Sequence, residues 1–281
     1  MQRVEEAFPF LDYVTNNRYA CRNIASTVLS HLPIGSKILD FGAGPCDKTA
    51  VLSVLGYKCS AVDDLNDPWH LELDNREAIL HFASEMGIDF TLSSAVPNFA
   101  AETFDLVILA DIIEHLHDSP RVLLNSLLTK LRPGGLVLVT VPNAVNIRKR
   151  LAVLSGQTNY QPYTRLFWSD RWRGHVREYT KQDLSLLAEH IGLVCCELRA
   201  CDHMLEKVPA PARRAYKAVT TWLTGWKDSW TLVAKKPANW RPRLAAPPLG
   251  NGAHYPLRKS GPQTLVASYK GAKKPARPAH T

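Results

Sequence analysis

The chain has 281 residues, 46% hydrophobic and 21% charged, a balance that fits a folded globular protein and excludes a fibrous repeat. Its net charge of +8 sits at one end: residues 235–281 hold ten Lys or Arg and no acid, leaving 24 basic against 26 acidic side chains elsewhere. The body is slightly acidic, unlike a protein whose folded face grips nucleic acid.

The start, MQRVEEAFPF, has early acids and no apolar core, so no signal or transit peptide is expected. Next, SKILDFGAG (36–44) reads as a strand running into a glycine loop, and KTAVLSVLG continues as a helix. A second strand, YKCSAVDDL (57–65), ends in acids, and REAILHFASEMG (76–87) has helical spacing with a terminal glycine. DFTLSSAV is a weaker third strand. TFDLVILAD (103–111) is a fourth, so continuously apolar that both faces should be buried. A helix over about 119–131 is stopped by RPGG, and GLVLVTVPN (135–143) is a fifth strand.

Alternation of this kind predicts a doubly wound, mostly parallel sheet with ligands at the carboxyl ends of its strands. Asp40, Asp63 and Asp111 fall at such ends. Residues 144–180 then form a long connection, read as a cap, whose second half is rich in aromatics and arginine. KQDLSLLAEHIG (181–192) is a helix, LVCCELRAC a strand, 207–226 a helical insertion, and SWTLVAKKP the strand that closes the sheet. The domain is placed at 1–236. From 237 onward, eight prolines and no acids predict a disordered basic tail. The six cysteines, Cys21, Cys46, Cys59, Cys195, Cys196 and Cys201, lack paired spacing and read as reduced, mostly buried thiols. No run approaches the ~20 apolar residues that span a bilayer, and a cytoplasmic location is expected.

LDFGAGPCD is not a dinucleotide fingerprint: Gly42 and Gly44 fit, but Asp47 stands where that pattern needs its third glycine, and it would repel a diphosphate. The stretch resembles instead motif I of class I S-adenosylmethionine-dependent methyltransferases, D-x-G-x-G. AVDD, FDLVILADIIEHL, LRPGGLVLVTVPN and GHVREYT extend the resemblance in order over about 35–200. It implies a Rossmann-like seven-stranded sheet and S-adenosylmethionine as cofactor. Asp40 would face its cationic groups, Gly42 and Gly44 would admit it closely, Asp63 would accept both ribose hydroxyls with Asp64 as fallback, and Ala110 would line the site. Pro45–Cys46 departs from the usual loop, and the adenine contacts stay unassigned.

In DIIEH, positions i, i+3 and i+4 of a helix would bring Asp111, Glu114 and His115 onto one face. With His175 of GHVREYT, the set resembles the metal site of small-RNA 2′-O-methyltransferases, which implies a divalent ion on Asp111, Glu114, His115 and His175. The acid–histidine pair also resembles ubiquinone-pathway O-methyltransferases. Two carboxylates and two imidazoles suit Zn²⁺, Mn²⁺ or Fe²⁺. Without metal, His115 or His175 is the candidate general base.

A positioned base or metal is what a hydroxyl acceptor needs, and the cap resembles that of bacterial methyltransferases acting on polysaccharide or lipid-linked sugars. The expected acceptor is therefore a sugar, glycan or glycolipid precursor. Tyr160, Tyr163, Trp168 and Trp172 would stack on it, and Arg165, Arg171 and Arg173 would meet its anionic groups. His70 reads as a solvated loop residue beside the pocket. Trp222 and Trp226 with Arg213, Arg214 and Lys217 suggest an amphipathic helix for peripheral membrane contact. The competing readings are an RNA methyltransferase, disfavoured by the body's charge, and a non-catalytic nucleotide-binding module or NAD-dependent oxidoreductase, disfavoured by Asp47.

Overall fold

Five strands are laid down in order in the computed structural model, which describes residues 1–244 except Asn159, Arg171 and the side chain of Lys207. They are β1 (Lys37–Phe41), β2 (Lys58–Asp63), β3 (Asp89–Leu92), β4 (Phe104–Ala110) and β5 (Leu131–Pro142). With β6 (Val194–Cys201) and β7 (Ser229–Lys235) they form one sheet of order β3-β2-β1-β4-β5-β7-β6, in which β7 runs antiparallel to both neighbours. The last strand thus inserts between β5 and β6 instead of closing an edge. The switch of direction between β1 and β4 opens a crevice above their carboxyl ends.

Side chains alternate across each strand. Ile38, Leu106 and Leu138 point to one face, where α1 (Gln2–Ala7), α3 (Arg18–His31), α4 (Asp47–Val54) and α5 (Asn75–Glu85) supply Val4, Ile24, Leu52 and Phe82. Leu39, Val107 and Val139 point to the other, where α6 (Pro120–Lys130) and α9 (Lys181–Ile191) supply Leu124, Leu127 and Leu184. The amino-terminal helices, among them the short α2 (Tyr13–Asn16), were not anticipated from the sequence. Their signal was present in Ala20, Cys21, Ile24, Ala25 and Val28, which share one face of α3 and are all buried.

β5 starts at Leu131, directly after α6, and not at 135. The register jumps from Phe104↔Leu131 to Leu106↔Leu136, so RPGG is absorbed as an irregularity within the strand, with Gly134 at φ 74°. The cap holds α7 (Ile147–Leu154) and α8 (Tyr163–Phe167), and a parallel bridge between Asn143 and Tyr179 ties its two ends together. The insertion before β7 is α10 (Ala210–Trp222). Folded chain continues past 236: Trp240 is buried and its indole N–H donates to the Ile191 carbonyl at 2.8 Å. The remainder of the expected tail, 245–281, lies outside the described residues. Among those described, no helix is long and apolar enough to cross a membrane.

Candidate active site

β1 ends in a turn that only glycine accommodates comfortably: Gly42 and Gly44 have φ of 76° and 52°. Their roles differ. A Cβ on Gly42 would stand 2.0 Å from Ile112 Cδ1, so that glycine leaves room for a side chain of the neighbouring loop. A Cβ on Gly44 would meet nothing within 4 Å, and Gly44 lines the crevice. Its N–H donates to Asp63 Oδ2 at 2.8 Å, while the Leu65 N–H donates to Oδ1 at 2.8 Å. Asp63 is thereby fixed at the end of β2 with a lone pair free on each oxygen. Gly42, Gly44, Asp63, Asp64 and Ala110 all border this cavity of about 470 Å³.

Asp40 does not. It is 2% exposed, and Thr49 Oγ1 of α4 donates to its Oδ2 at 2.5 Å while Oδ1 has no partner. The pleat explains the correction: Asp40 shares the side of Ile38, which faces the helices. Burial pushes its carboxyl up to about 6, against the Thr49 hydrogen bond. Asp47, too, is fully buried, against Cys21 and Lys48, and does not border the crevice. The acids on its walls are Asp63, Asp64, Asp67 and Asp111.

Two basic side chains temper this charge. Arg173 pairs with Asp67 at 3.0 Å. Lys48, unremarked in the sequence, also lines the cavity; burial works to discharge it, but Asp47 beside it prevails and raises its pKa. The anionic end of a zwitterionic amino acid would be met by this cation. His70 is not solvated: it is 3% exposed at the crevice wall, neither ring nitrogen has a partner, and burial holds its pKa below the imidazole range.

DIIEH is not one helix. Asp111 leaves β4 with φ 59°, and only Ile113–His115 make a tight 3₁₀ turn. This breaks the expected common face. The Asp111 carboxylate accepts from Thr140 Oγ1 at 3.3 Å, and Asp111 stands outside the metal-like group, which comprises Glu114, His115 and His175 with one ligand atom of each within 4.8 Å of the others. The two imidazoles meet edge to face, centroids 4.9 Å apart.

Their tautomers follow from their partners. His115 Nδ1 faces the Arg173 carbonyl at 2.9 Å, an acceptor, so Nδ1 carries the proton and Nε2 keeps a lone pair. His175 Nδ1 likewise faces Glu178 Oε1 at 2.8 Å, and the other Glu178 oxygen pairs with Lys149. Burial, with His115 and Lys149 nearby, lowers the His175 pKa and keeps it neutral. Glu114 is wholly buried and neither carboxyl oxygen has a hydrogen-bond partner. Desolvation, reinforced by Asp111, raises its pKa well above the carboxylate range.

The returning cap segment clasps this turn. Val176 and Arg177 N–H groups donate to the Glu114 carbonyl at 2.7 and 3.2 Å, the Tyr179 hydroxyl to Ile113 at 3.3 Å, and Trp172 Nε1 to the His175 carbonyl at 3.2 Å. Of the cap residues expected to meet an acceptor, Trp172 and Arg173 border the crevice. Tyr163 and Trp168 stand exposed, Tyr160 borders a separate cavity, and Arg171 lies outside the described residues. All six cysteines are free; Cys195 and Cys196 are exposed and the other four buried.

A glycine loop and a strand-end acid at the switch point of this sheet are the arrangement expected of a class I S-adenosylmethionine-dependent methyltransferase, and comparison with known proteins establishes that class. A family model described as "Methyltransferase domain" matches residues 13–198, and the chain belongs to that family. Among curated proteins it is 31% identical over 115 residues to the mitochondrial ubiquinone biosynthesis O-methyltransferase of Schizosaccharomyces pombe, covering 41% of each chain. To the human protein of the same name it is 26% identical over 142 residues, covering 47% of this chain and 37% of that one. The match thus spans about two fifths of those relatives. Among solved structures, the 1,6-didemethyltoxoflavin-N1-methyltransferase of Burkholderia thailandensis, with bound S-adenosylhomocysteine, aligns with TM-score 0.52 and 18% identity over 80% of this chain and 81% of that one. The N-methyltransferase NodS of Bradyrhizobium japonicum, also with S-adenosylhomocysteine, gives 0.50 and 15% over 84% and 97%. At these identities the likeness concerns the fold.

Proposed function

We propose that the chain methylates a hydroxyl oxygen, with His115 as the general base and His175 beside it. The observation that carries this reading is a pair of imidazoles, one of them lining the cofactor crevice, each with Nδ1 facing an acceptor and Nε2 left free. The cofactor supplies an electrophilic methyl group on a sulfonium. Asp63 holds its ribose, Gly44 admits it, and Lys48 meets its carboxylate. An acceptor hydroxyl placed between Trp172 and His115 would give its proton to Nε2; with the cofactor bound, the new O–C bond would form as the sulfonium C–S bond breaks, the electron pair leaving on sulfur as the thioether S-adenosylhomocysteine. Imidazole suits this task because Nε2 can take up a proton while Nδ1 keeps its hydrogen bond.

Glu114, His115 and His175 also fit a divalent cation: an unpartnered buried carboxyl faces two nitrogen donors, and Glu178 behind His175 is the outer carboxylate that metal-bound histidines commonly have. A bound ion would act as a Lewis acid, lowering the pKa of a hydroxyl beside it. Asp111 is left out of this set.

For the acceptor we favour a ring-borne hydroxyl of a sugar, glycan or glycolipid precursor, stacked on Trp172. The crevice's four acids disfavour a phosphate-rich RNA. A phenolic hydroxyl is the second reading, favoured by the ubiquinone-pathway relatives. Incubation with methyl-labelled S-adenosylmethionine and parallel panels of glycosides, catechols and amines tests both. Label on glycoside oxygen supports the first and label on catechol oxygen the second; label on amines alone would refute hydroxyl chemistry.

A further inference from the structure

The cap carries apolar surface that a soluble fold has no need to display. Leu154 is 83% exposed and Trp168 77%, and Leu151, Tyr163 and Phe167 are exposed with them. Single exposed hydrophobics are ordinary; this many within two short adjacent helices are not. Over residues 144–169 the same stretch holds Arg148, Lys149, Arg150 and Arg165 and no acid. Among the described residues Arg148, Arg150 and Arg165 form no ion pair. Arg150 lies over the Trp226 ring at 5.2 Å, which joins α7 to the turn after α10, where Trp222 is 86% exposed. A cavity of about 230 Å³ lined by Arg148, Lys149, Thr158 and Tyr160 opens beside α7. Lys149 there is engaged by Glu178, which leaves Arg148 as the cation available to an anion.

Apolar and cationic side chains mixed without acids match one kind of partner. Protein interfaces also use arginine and aromatics, but their cations need acids placed one by one on a partner; a lipid surface takes apolar side chains at the headgroup–acyl boundary and offers phosphates to every cation. We propose that the α7–α8 face of the cap docks on a membrane surface bearing anionic headgroups. Leu154, Phe167 and Trp168 enter the boundary and Arg148, Arg150 and Arg165 meet phosphate. This assignment is independent of which hydroxyl is methylated.

Flotation of the full chain with vesicles of phosphatidylcholine, alone or mixed with phosphatidylglycerol, tests it. Wild type should float with the anionic vesicles and much less with the neutral ones. L154S/W168S should lower partitioning at least about tenfold, by the apolar area withdrawn. R148E/R150E should remove the preference for phosphatidylglycerol. Calorimetric affinity for S-adenosylhomocysteine within twofold of wild type would show that each variant is folded. The basic tail is intact in both variants, so wild-type flotation of both would assign binding elsewhere and overturn the proposal. Failure of wild type to float, or a dimer that hides this face in sedimentation equilibrium, would also overturn it.

Discussion

Asp63 is aimed before any ligand arrives, because the Gly44 and Leu65 N–H groups each hold one of its oxygens. Hydrogen bonds to a charged group contribute about 1.5–3 kcal/mol each. D63A should therefore weaken S-adenosylmethionine binding about 10- to 100-fold in calorimetry; unchanged affinity would remove Asp63 from the site. Asp40 makes a different prediction. Its folded-state pKa, about 6, lies above the 3.8 of an exposed aspartate. The folded state then binds the extra proton more tightly, so stability declines as pH rises from about 3.8 to about 6. D40N should flatten that decline, by on the order of 2–3 kcal/mol, in urea titrations of the ligand-free protein at pH 4 and pH 7. Parallel curves for the two proteins would show that Asp40 is not the titrating group. Asp63 could be placed at the crevice from the sequence because it is the last residue of its strand, where the chain opens toward the crevice. Asp40 was misplaced because residue type says nothing about which side of the pleat it takes.

At the scale of elements, a clasp joins the turn after β4 to the end of the cap, and the proposed chemistry rests on it. Its backbone hydrogen bonds order His115 and His175 against each other, although 58 and more residues of chain separate Arg173 and Val176 from their partners. Gly174 is the tight point: a Cβ there would stand 2.3 Å from the Trp172 ring. G174A should displace Trp172 and raise the acceptor KM about tenfold while leaving cofactor affinity within twofold. An acceptor KM equal to wild type would show that Trp172 does not border the acceptor. DIIEH and GHVREYT were linked only through a family resemblance, and the structure brings their histidines together. The positive φ of Asp111 was not legible, since a helical reading of i, i+3 and i+4 spacing assumes the helix has already begun. RPGG was read as a stop for the same reason: periodicity marks where a pattern ends, not that an irregular strand follows directly.

Across the whole molecule, the parallel sheet was readable because five apolar β-branched runs alternate with helical ones. The insertion of β7 between β5 and β6 was not, because antiparallel pairing of a late strand leaves no mark on local composition. Charge is partitioned as well. The crevice is acidic, the cap surface basic and apolar, and the chain's surplus of cations follows residue 234. On the readings proposed above, this separation would let a sulfonium cofactor bind at one place and an anionic surface be met at another. On the proposed reading the crevice has a cofactor half, lined by Gly44 and Asp63, and a chemical half, lined by His115, with Glu114 and His175 grouped beside that imidazole. Paired calorimetry and turnover on H115A tests that division most directly. The predicted result is S-adenosylmethionine affinity within about twofold of wild type with turnover reduced at least about 100-fold. Turnover at the wild-type rate, or an equal loss of cofactor binding, would contradict it.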